Sequence, residues 1–260
     1  MAGSEATNQG VRPDGDRAIP RAQDQLFASG QSSRAKYAAL IVGRPGLAAL
    51  LKYELIVALA QARTGAFGLA LRKQLYPLLL GSCGRNVVFG QNVVLRHPHK
   101  IHVGSNVVID DNCLLDAKGD SNHGISIGSG VFIGRNTILS CKNGDIELGD
   151  GANLGFNCEV FSASHVRIGA NVLIAAYAYV IGGDHDFSST EVPVLEQSRR
   201  SKGVQVGDAA WLGAGAKVLD GVTIGAGAIV GAGAVVREPV PARAVAVGVP
   251  ARVVSMRDSV

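Results

Sequence analysis

From about Phe89 onward, an aliphatic residue recurs every six positions and is followed by glycine or by another small or polar residue. A periodic run of this length is typical of a repeat architecture, in which short units stack on one another to bury a continuous core. This periodicity constrains the fold more than any local motif in the chain. The repeated aliphatic positions are Val103, Ile109, Leu115, Ile127, Ile133, Leu139, Leu148, Leu154, Val160, Ile168, Ile174, Val180, Val206, Leu212, Val218, Ile224, Val230 and Val236.

Most of these aliphatic residues have a second small or medium side chain two positions before them. The chain has 34 glycines among 260 residues and only 5% aromatic residues, which predicts a core of small side chains in narrow layers. Glycine does not occupy every third position, so a collagen helix is excluded. The smaller positions are Cys113, Val131, Thr137, Ala152, Cys158, Val172, Ala178, Ala210, Ala216, Val222, Ala228 and Ala234.

The interruptions of the six-residue period define the larger unit. Each interruption falls after a multiple of three hexads, so the unit is a coil of about 18 residues with three flat faces. Every inserted segment is then expected to leave the coil at the same corner. The enlarged spacings are eight (Leu95 to Val103), twelve (Leu115 to Ile127), nine (Leu139 to Leu148), eight (Val160 to Ile168) and 26 (Val180 to Val206).

The region before the repeats has a different composition. Residues 1–33 lack an apolar period and are predicted to be a disordered tail, whereas residues 34–83 form a helical N-terminal segment. Within that segment Leu47, Leu50, Leu51, Leu55 and Leu59 recur at helical spacing. Two interpretations remain open. The helices pack on the main domain, or residues 36–80 form a basic helical hairpin at a membrane surface, with Arg44, Lys52, Arg63, Arg72 and Lys73 flanking the leucines.

Charge and cysteine content exclude several classes. Residues 1–83 hold ten Lys/Arg against five Asp/Glu, while residues 84–260 hold 15 against 16, so the repeat domain is not expected to bind nucleic acid. The four cysteines form no C-x-x-C pair and are interpreted as free thiols in a reducing compartment. No signal peptide or long apolar run is evident, which favours a cytoplasmic protein.

Several hexads resemble those of a known family: I-G-S-G-V-F (127–132), I-G-R-N-T-I (133–138) and I-G-A-G-A-I (224–229). Residues 210–236 and V-A-V-G-V-P-A-R-V-V (245–254) extend the likeness over residues 84–255. The chain resembles the hexapeptide-repeat acyltransferases, in particular the sugar and polysaccharide O-acetyltransferases. The resemblance implies an all-β main domain folded as a left-handed parallel β-helix, a homotrimer, and acetyl-CoA as co-substrate. Nucleotidyltransferases and a class of carbonic anhydrase share the same repeat.

The resemblance also implies a catalytic histidine on a loop that leaves the coil. His185, in V-I-G-G-D-H-D-F (180–187), begins the long insertion at residues 184–203 and is the candidate. An imidazole suits this role because it titrates near neutral pH and can take the proton of an attacking hydroxyl. Asp184 and Asp186 flank it and are candidates to orient the ring.

The cofactor site rests on the resemblance alone. In the family, coenzyme A lies between neighbouring subunits, which assigns backbone contacts to Ala214 and Ala232. The same comparison assigns phosphate contacts to Arg237 and Arg252, since arginine suits phosphate geometry. Trp211 and Lys217 are two further candidates to contact coenzyme A in the groove between subunits.

Other histidines invite a metal interpretation, which the spacing does not favour. His97 and His102 have a spacing used by the β-helical carbonic anhydrases, but no histidine precedes His97 to complete a zinc site. No metal is therefore predicted, and His97 and His99 are assigned to the substrate side. Some relatives have asparagine at the position of Gly155. Here the nearest asparagine is Asn157, a further substrate-side candidate.

The sequence thus predicts a cytoplasmic, trimeric, acetyl-CoA-dependent O-acyltransferase. Its acceptor is a saccharide or glycosylated hydroxyl, such as a precursor in polysaccharide biosynthesis, and transfer is direct because no cysteine is placed as a nucleophile. Two alternatives stay open: an N- or O-acyltransferase acting on an amino acid or amino sugar, and a non-catalytic β-helix scaffold. Peripheral membrane contact through residues 36–80 is a separate hypothesis.

Overall fold

The computed structural model describes residues 30–257. The predicted tail at residues 1–33 therefore lies almost entirely outside the described residues, and its last residue already begins a helix. From Ser82 onward the chain winds into a parallel β-helix of seven complete coils, with one strand of each coil on each of three flat sheets. We name these sheets faces A, B and C, in the order in which the chain passes through them.

Corresponding strands of successive coils pair in parallel. Face A contains β1 (Ser82–Cys83), β4 (Ile101–Val103), β7 (Ile125–Ile127), β10 (Asp145–Leu148), β13 (His165–Ile168), β18 (Val204–Val206) and β21 (Thr223–Ile224). Face B contains β2 (Val88–Phe89), β5 (Val108–Ile109), β8 (Phe132–Ile133), β11 (Asn153–Leu154), β14 (Leu173–Ile174), β19 (Trp211–Leu212) and β22 (Ile229–Val230). Face C contains β3 (Val94–Arg96), β6 (Leu114–Asp116), β9 (Ile138–Cys141), β12 (Glu159–Ser162), β15 (Tyr179–Gly182), β20 (Lys217–Val218) and β23 (Val235–Val236).

Four strands lie outside this regular pattern. β24 (Ala244–Val247) extends face B beyond β22, and β25 (Arg252–Met256) folds back antiparallel to β24. β16 (Asp184–His185) and β17 (Arg199–Arg200) form an antiparallel ribbon within the long insertion. The regular coils therefore end in a reversed strand, and the only other antiparallel pair within residues 30–257 lies in the insertion.

The periodic aliphatic residues fill the inside of the coil, as the sequence predicts. Every one of them is at most 4% exposed, and the small residues two positions earlier are equally buried. Glycine is needed where neighbouring coils turn closely. A Cβ on Gly134 would lie 2.7 Å from the carbonyl carbon of Gly155 in the next coil. Small side chains at the corners and aliphatic ones on the faces together specify the three-sided shape.

The insertions all leave one corner, which confirms the prediction from their spacing. Each enlarged segment connects a strand of face C to the next strand of face A, and we call this edge the C–A corner. The first insertion contains a short 3-10 turn at Pro98–Lys100, and the longest contains another at Val194–Glu196. The other two corners are tight turns that stack coil upon coil.

The N-terminal segment is helical and packs against the first coil. Helix α1 (Ser33–Tyr37) continues into a π-helical turn at Ala38–Val42. It is followed by α2 (Leu47–Ala60), by α3 (Gly65–Leu75) and by a 3-10 turn at Tyr76–Leu78. The helices therefore cover one end of the coil, as the first of the two sequence interpretations predicts.

Polar side chains of the helices satisfy backbone carbonyls at the open end of the coil. The Tyr53 hydroxyl donates to the carbonyl of Leu95 at 2.9 Å, and the Tyr76 hydroxyl donates to that of Val93 at 3.0 Å. The buried Arg72 guanidinium donates to the carbonyl of Phe89 and to two carbonyls of the helical segment. These bonds fix the helices on the first coil, because buried carbonyls without donors are costly.

One side of α2 is left uncovered. Its buried side is formed by Leu50, Tyr53, Ile56 and Ala60. Of the leucines that the sequence groups together, only Leu50 is buried, since the others project from the opposite side. Within residues 30–257, no helix is long and apolar enough to cross a membrane. The uncovered leucines are Leu47, Leu51, Leu55 and Leu59, with exposed fractions between 43% and 61%.

Candidate active site

His185 lies at the start of the antiparallel ribbon that projects from the C–A corner. In this ribbon His185 is directly opposite Arg199, so the two side chains lie on the same side of it. The imidazole is half-buried, and its Nδ1 atom is buried without a hydrogen-bond partner among residues 30–257. Because Nδ1 is buried, a substrate hydroxyl would have to approach the other ring nitrogen, Nε2, for which the described residues provide no hydrogen-bond partner either.

The two neighbouring aspartates are engaged elsewhere. Asp186 forms an ion pair with Arg200 at 3.0 Å and accepts a hydrogen bond from the backbone N–H of Ser188, which lowers the pKa of this carboxyl. Asp184 accepts a hydrogen bond from the backbone N–H of His185 at 2.7 Å. The hydrogen bonds of both carboxylates thus shape the ribbon, and the role of orienting the imidazole stays a prediction for either of them.

The candidate cofactor residues occupy a different edge, between faces B and C, which we call the B–C corner. Ala214 and Ala232 lie in successive turns there, and the N–H of Gly233 donates to the carbonyl of Ala214 at 2.8 Å. The N–H groups of Ala214 and Ala232 themselves have no hydrogen-bond partner among the described residues. Arg252 is exposed at the same edge, where β25 pairs with the end of β24.

The remaining cofactor candidates lie on faces or at the other corner. Trp211 projects from face B between Leu173 and Ile229, whereas the sequence interpretation placed it at a corner. Lys217 projects from face C. Arg237 directly follows β23 and therefore lies at the C–A corner, two coils beyond the strand that precedes His185.

Within one chain, the candidate base thus lies at a different corner from most of the candidate cofactor residues. His185 and Arg237 lie at the C–A corner, whereas Ala214, Ala232 and Arg252 lie at the B–C corner. The two corners are separated by the width of face C. This separation is at most about 20 Å, the length of the six residue intervals from Ala214 to Asp220 in extended chain.

The substrate-side candidates do not lie beside His185. Asn157 is in a turn of the B–C corner with a φ of 55°, and its Oδ1 accepts a hydrogen bond from the amide of Asn136 at 3.0 Å. His97 and His99 follow the first coil, four coils from His185, which is about 19 Å along the β-helix axis. Each of these side chains therefore has a structural role at its own position, and the substrate contacts assigned to them stay predictions.

His97 borders a cavity of about 670 Å³, which lies between the helical segment and the first insertions. Burial lowers the pKa of His97, and the Nε2 atom of its ring lies 2.8 Å from the carbonyl of Ala39. Burial and the neighbouring Arg44 lower the pKa of His99 to about 4. Both rings are therefore neutral at pH 7, and the cavity bordered by His97 does not include His185.

Comparison with known proteins gives these positions a family context. The profile of the bacterial transferase hexapeptide (six repeats) matches residues 203–238. A probable acetyltransferase of Mycobacterium tuberculosis is 34% identical to this chain over 134 residues. The matched residues make up 52% of this chain and 45% of that relative. A putative lipopolysaccharide biosynthesis O-acetyl transferase of Escherichia coli is 30% identical over 55% of this chain and 74% of its own length. The chain belongs to the hexapeptide-repeat transferases.

A solved structure agrees with this assignment to the hexapeptide-repeat transferases. A mutant of AntD, an N-acyltransferase from Bacillus cereus, was determined in complex with dTDP-4-amino-4,6-dideoxyglucose and coenzyme A. It is 27% identical to this chain, covers 69% of this chain and 85% of its own, and superposes with a TM-score of 0.50. The relative from Escherichia coli is named for O-acetyl transfer and AntD for N-acyl transfer, so the acceptor atom differs within the family.

Three of the four thiols of this hexapeptide transferase are buried, as the sequence predicts for Cys113 and Cys158, and Cys83 is half-buried. Burial raises the pKa of Cys113 to about 11, and it raises those of Cys141 and Cys158 as well. Cys141, which the sequence interpretation placed in an insertion, lies at the end of β9 and is fully buried. Among residues 30–257, no three His, Cys, Asp or Glu side chains converge on a common point.

Sequence reasoning missed one group of polar residues near His185. Lys118 and Lys142 each lie shortly after a face C strand, and Arg199 lies in the ribbon beside His185. The hexad register would have placed Lys118 next to Lys142, because the two insertions begin at equivalent points of successive coils. Arg199 could not have been placed, since its position depends on how the long insertion folds.

Proposed function

We propose that this hexapeptide transferase transfers an acyl group, most simply acetyl, from acetyl-CoA to a hydroxyl of a saccharide acceptor. The observation that carries the proposal is His185, whose ring nitrogen has no partner among the described residues and which lies on the one long insertion. The name of the relative from Escherichia coli supports O-acetyl transfer, and the coenzyme A complex of AntD supports a CoA thioester as donor.

The residues at the B–C corner suit a thioester of coenzyme A. The N–H groups of Ala214 and Ala232 have no partner among residues 30–257, and small side chains there leave room for a pantetheine arm. Exposed cations at Arg252 and Lys217 provide charge for the phosphates. When bound, acetyl-CoA supplies an activated acyl group. The N–H of Ala214 is our candidate to stabilise the negative charge that develops on the acyl oxygen.

His185 performs the proton transfers in this proposal. Its unprotonated ring nitrogen accepts the proton of the acceptor hydroxyl as that oxygen attacks the acyl carbon. The bond from the acyl carbon to sulfur then breaks, and the imidazolium returns the proton to the leaving thiolate. One ester and one free thiol are formed, and the proposal needs no covalent enzyme intermediate, because three of the thiols are buried and half-buried Cys83 lies in the first coil, far from His185.

A thiol-release assay tests this function. Purified protein with acetyl-CoA and a panel of neutral, acidic and amino saccharides is expected to release free coenzyme A only when an acceptor is present. Mass spectrometry of the acceptor should show one added acetyl group. If calorimetry detects no binding of acetyl-CoA and no acceptor is modified, the scaffold alternative replaces this proposal.

Transfer to nitrogen is the second candidate function, and AntD is the observation that favours it. That neighbour is an N-acyltransferase and was crystallised with a nucleotide-linked 4-amino sugar. The same assay separates the two candidates, because a 4-amino sugar and its 4-hydroxy counterpart differ only in the accepting atom. Preferential modification of the amine would assign this chain to N-acyl transfer.

We propose that the active site is shared between subunits of a homotrimer, the assembly that the family resemblance implies. The separation of His185 from the B–C corner supports this, since the C–A corner of one subunit could face the B–C corner of its neighbour. The outward side of face B also has an apolar row suited to a partner. Its members are Val88, Val108, Phe132, Leu173, Trp211, Ile229 and Val245, and the polar Asn153 interrupts the row between Phe132 and Leu173.

We also propose that residues 36–80 hold the protein at the cytoplasmic surface of a membrane. The uncovered leucines of α2 support this, together with exposed Phe67 and Leu78 and with Arg44 and Lys52 nearby in the sequence. An apolar surface flanked by cations suits an anionic bilayer surface.

Liposome co-sedimentation tests the membrane proposal. Because α2 covers the open end of the coil, substitution is a cleaner test than deletion of the helices. The full chain is expected to sediment with phosphatidylglycerol vesicles at low salt, and Leu51→Glu with Leu55→Glu should abolish this. Gln205→Glu, at an exposed position on the outward side of face A, serves as the control for an added exposed charge. Equal partitioning of the full chain and the double variant would exclude this surface as the anchor.

A further inference from the structure

Lys118 and Lys142 are neighbours in one column of the C–A corner. Strands β6 and β9 pair with Asp116 opposite Ser140, so two residues further along Lys118 lies next to Lys142. The N–H of Asn143 donates to the carbonyl of Lys118 at 3.2 Å, which shows that the pairing continues past the strands. Adjacent positions of neighbouring coils are about 4.8 Å apart, so the two side chains start from closely spaced backbones.

Arg199 joins these lysines from the ribbon. It is opposite His185 in the β16–β17 pair, so its side chain leaves the ribbon on the side of the candidate base. The pKa of Lys142 is lowered, first by its partial burial and then by the positive charges of Lys118 and Arg199. The charges of Lys118 and Arg199 therefore both act on Lys142. All three side chains are half-buried.

The surrounding carboxylates offset the charge of this group only in part, since Asp116 acts on Lys142 but pairs with another cation. Asp116 lies against Arg96 at 3.4 Å and also accepts a hydrogen bond from the backbone N–H of Lys118. Asp186 pairs with Arg200. Among residues 30–257, no carboxylate lies within 4.0 Å of a side-chain nitrogen of Lys118, Lys142 or Arg199. Like charges at adjacent ladder positions destabilise a sheet, so an anion bound here would relieve the repulsion.

An apolar floor lies next to the cations. The Nζ atom of Lys142 is 5.9 Å from the centre of the Phe161 ring, and Phe161 pairs with Ile181 in the next coil of face C. Gly183 keeps this surface open, because a Cβ there would come within 2.7 Å of the Ala163 Cβ and 3.5 Å of the Phe161 ring. The half-buried Phe161 ring therefore offers a flat surface for the C–H face of a sugar.

We propose that the acceptor is an anionic saccharide whose carboxylate or phosphate binds Lys118, Lys142 and Arg199. Its sugar ring lies against Phe161, which brings a hydroxyl toward His185 on the same side of the ribbon. This inference rests on the proposed function and adds the chemical class of the acceptor. A uronic acid and a phosphate-linked sugar share the necessary oxyanion, and a neutral glycoside lacks it.

Binding without acetyl-CoA tests the inference separately from catalysis. Methyl glucuronide, dTDP-glucose and neutral methyl glucoside are titrated into the full-length protein by calorimetry. At least one of the two anionic probes is expected to bind at least about tenfold more tightly than the neutral one, since a charge-assisted hydrogen bond contributes roughly 1.5–3 kcal/mol. The two anionic probes distinguish a carboxylate from a phosphate group.

Substitutions of the lysines test whether these residues bind the anionic probe. Lys142→Gln and Lys118→Gln should each weaken the binding of the anionic probe about tenfold and leave the affinity for the neutral probe unchanged. Arg85→Gln, which removes an exposed cation at the turn between faces A and B, is the control and should bind normally. Equal affinity for neutral and anionic probes, or unchanged binding in both lysine variants, would overturn the proposal.

Two further results separate this inference from the proposed function. Lysine-dependent binding of the anionic probe without acetyl transfer would support the anion site and remove only the acyltransferase assignment. Where turnover is measurable, Lys142→Gln should raise the KM of the acceptor and leave that of acetyl-CoA unchanged. A raised KM for acetyl-CoA alone would assign these cations to the coenzyme and overturn the proposal for the acceptor.

Discussion

His185→Ala is expected to lower the turnover of the acetyl transfer by about 10²–10⁴-fold, the usual contribution of a positioned general base. The affinity for acetyl-CoA should change little, because the proposed cofactor contacts lie at the other edge of face C. The coil should also remain intact, since His185 is in the insertion and contributes no side chain to the core. Acceptor-dependent thiol release measures the first effect and calorimetry with acetyl-CoA measures the second.

His123→Ala is the matched control for this substitution. His123 also lies in an insertion at the C–A corner, where it is exposed and its Nδ1 atom is 3.4 Å from Oδ2 of Asp145, but it is not in the ribbon. It should keep the turnover of the unsubstituted protein. Near-normal turnover of His185→Ala on a good acceptor would contradict the proposed mechanism and direct attention to the other histidines.

Two inactive variants should restore each other when they are expressed together. His185→Ala removes the base at the C–A corner, and Arg252→Glu reverses the charge at the B–C corner, where coenzyme A is proposed to bind. If a site uses one corner from each of two subunits, random mixing of equal amounts leaves about one quarter of all sites intact, which corresponds to one of the three sites in every mixed trimer. Purification through two different tags, followed by thiol release, measures the recovered activity at low acetyl-CoA.

Sites contained within single chains give a different result in the same experiment. Every chain would then carry one defect, and the mixture would have no more activity than the two variants assayed separately. Co-expression of His185→Ala with itself under two tags is the control for tagging. Analytical ultracentrifugation of the mixture should show a trimer, and a monomer with full activity would exclude the shared site.

The core could be predicted from the sequence because burial in this fold repeats every six residues. A single aliphatic residue such as Leu154 carries little information, but its place in the series identifies both its face and its burial. The position of the insertions followed from the same arithmetic. This succeeded because each face of a coil takes one hexad and every insertion falls between complete sets of three hexads, so spacing along the chain translates directly into position in space.

The non-repeating parts could not be predicted in this way. Leucines at helical spacing show that α2 is a helix, but Tyr53 decides which side faces the coil, because its hydroxyl reaches the carbonyl of Leu95. Likewise, Asp186 lies next to His185 in sequence but pairs with Arg200 across the ribbon. Such contacts depend on the folded path of a particular segment, which has no period.

Confining every insertion to one corner has a consequence for the entropy of chain closure. The other coils close over 18 to 24 residues, such as the 20 between Gln91 and Asp111, whereas the coil with the long insertion closes over 38, as between Ala170 and Asp208. Doubling a closed loop costs only about 0.6 kcal/mol. The strands on either side keep their register, from Val166 against Val204 onward. A segment that carries new chemistry can therefore be lengthened at this corner with little loss of folding free energy.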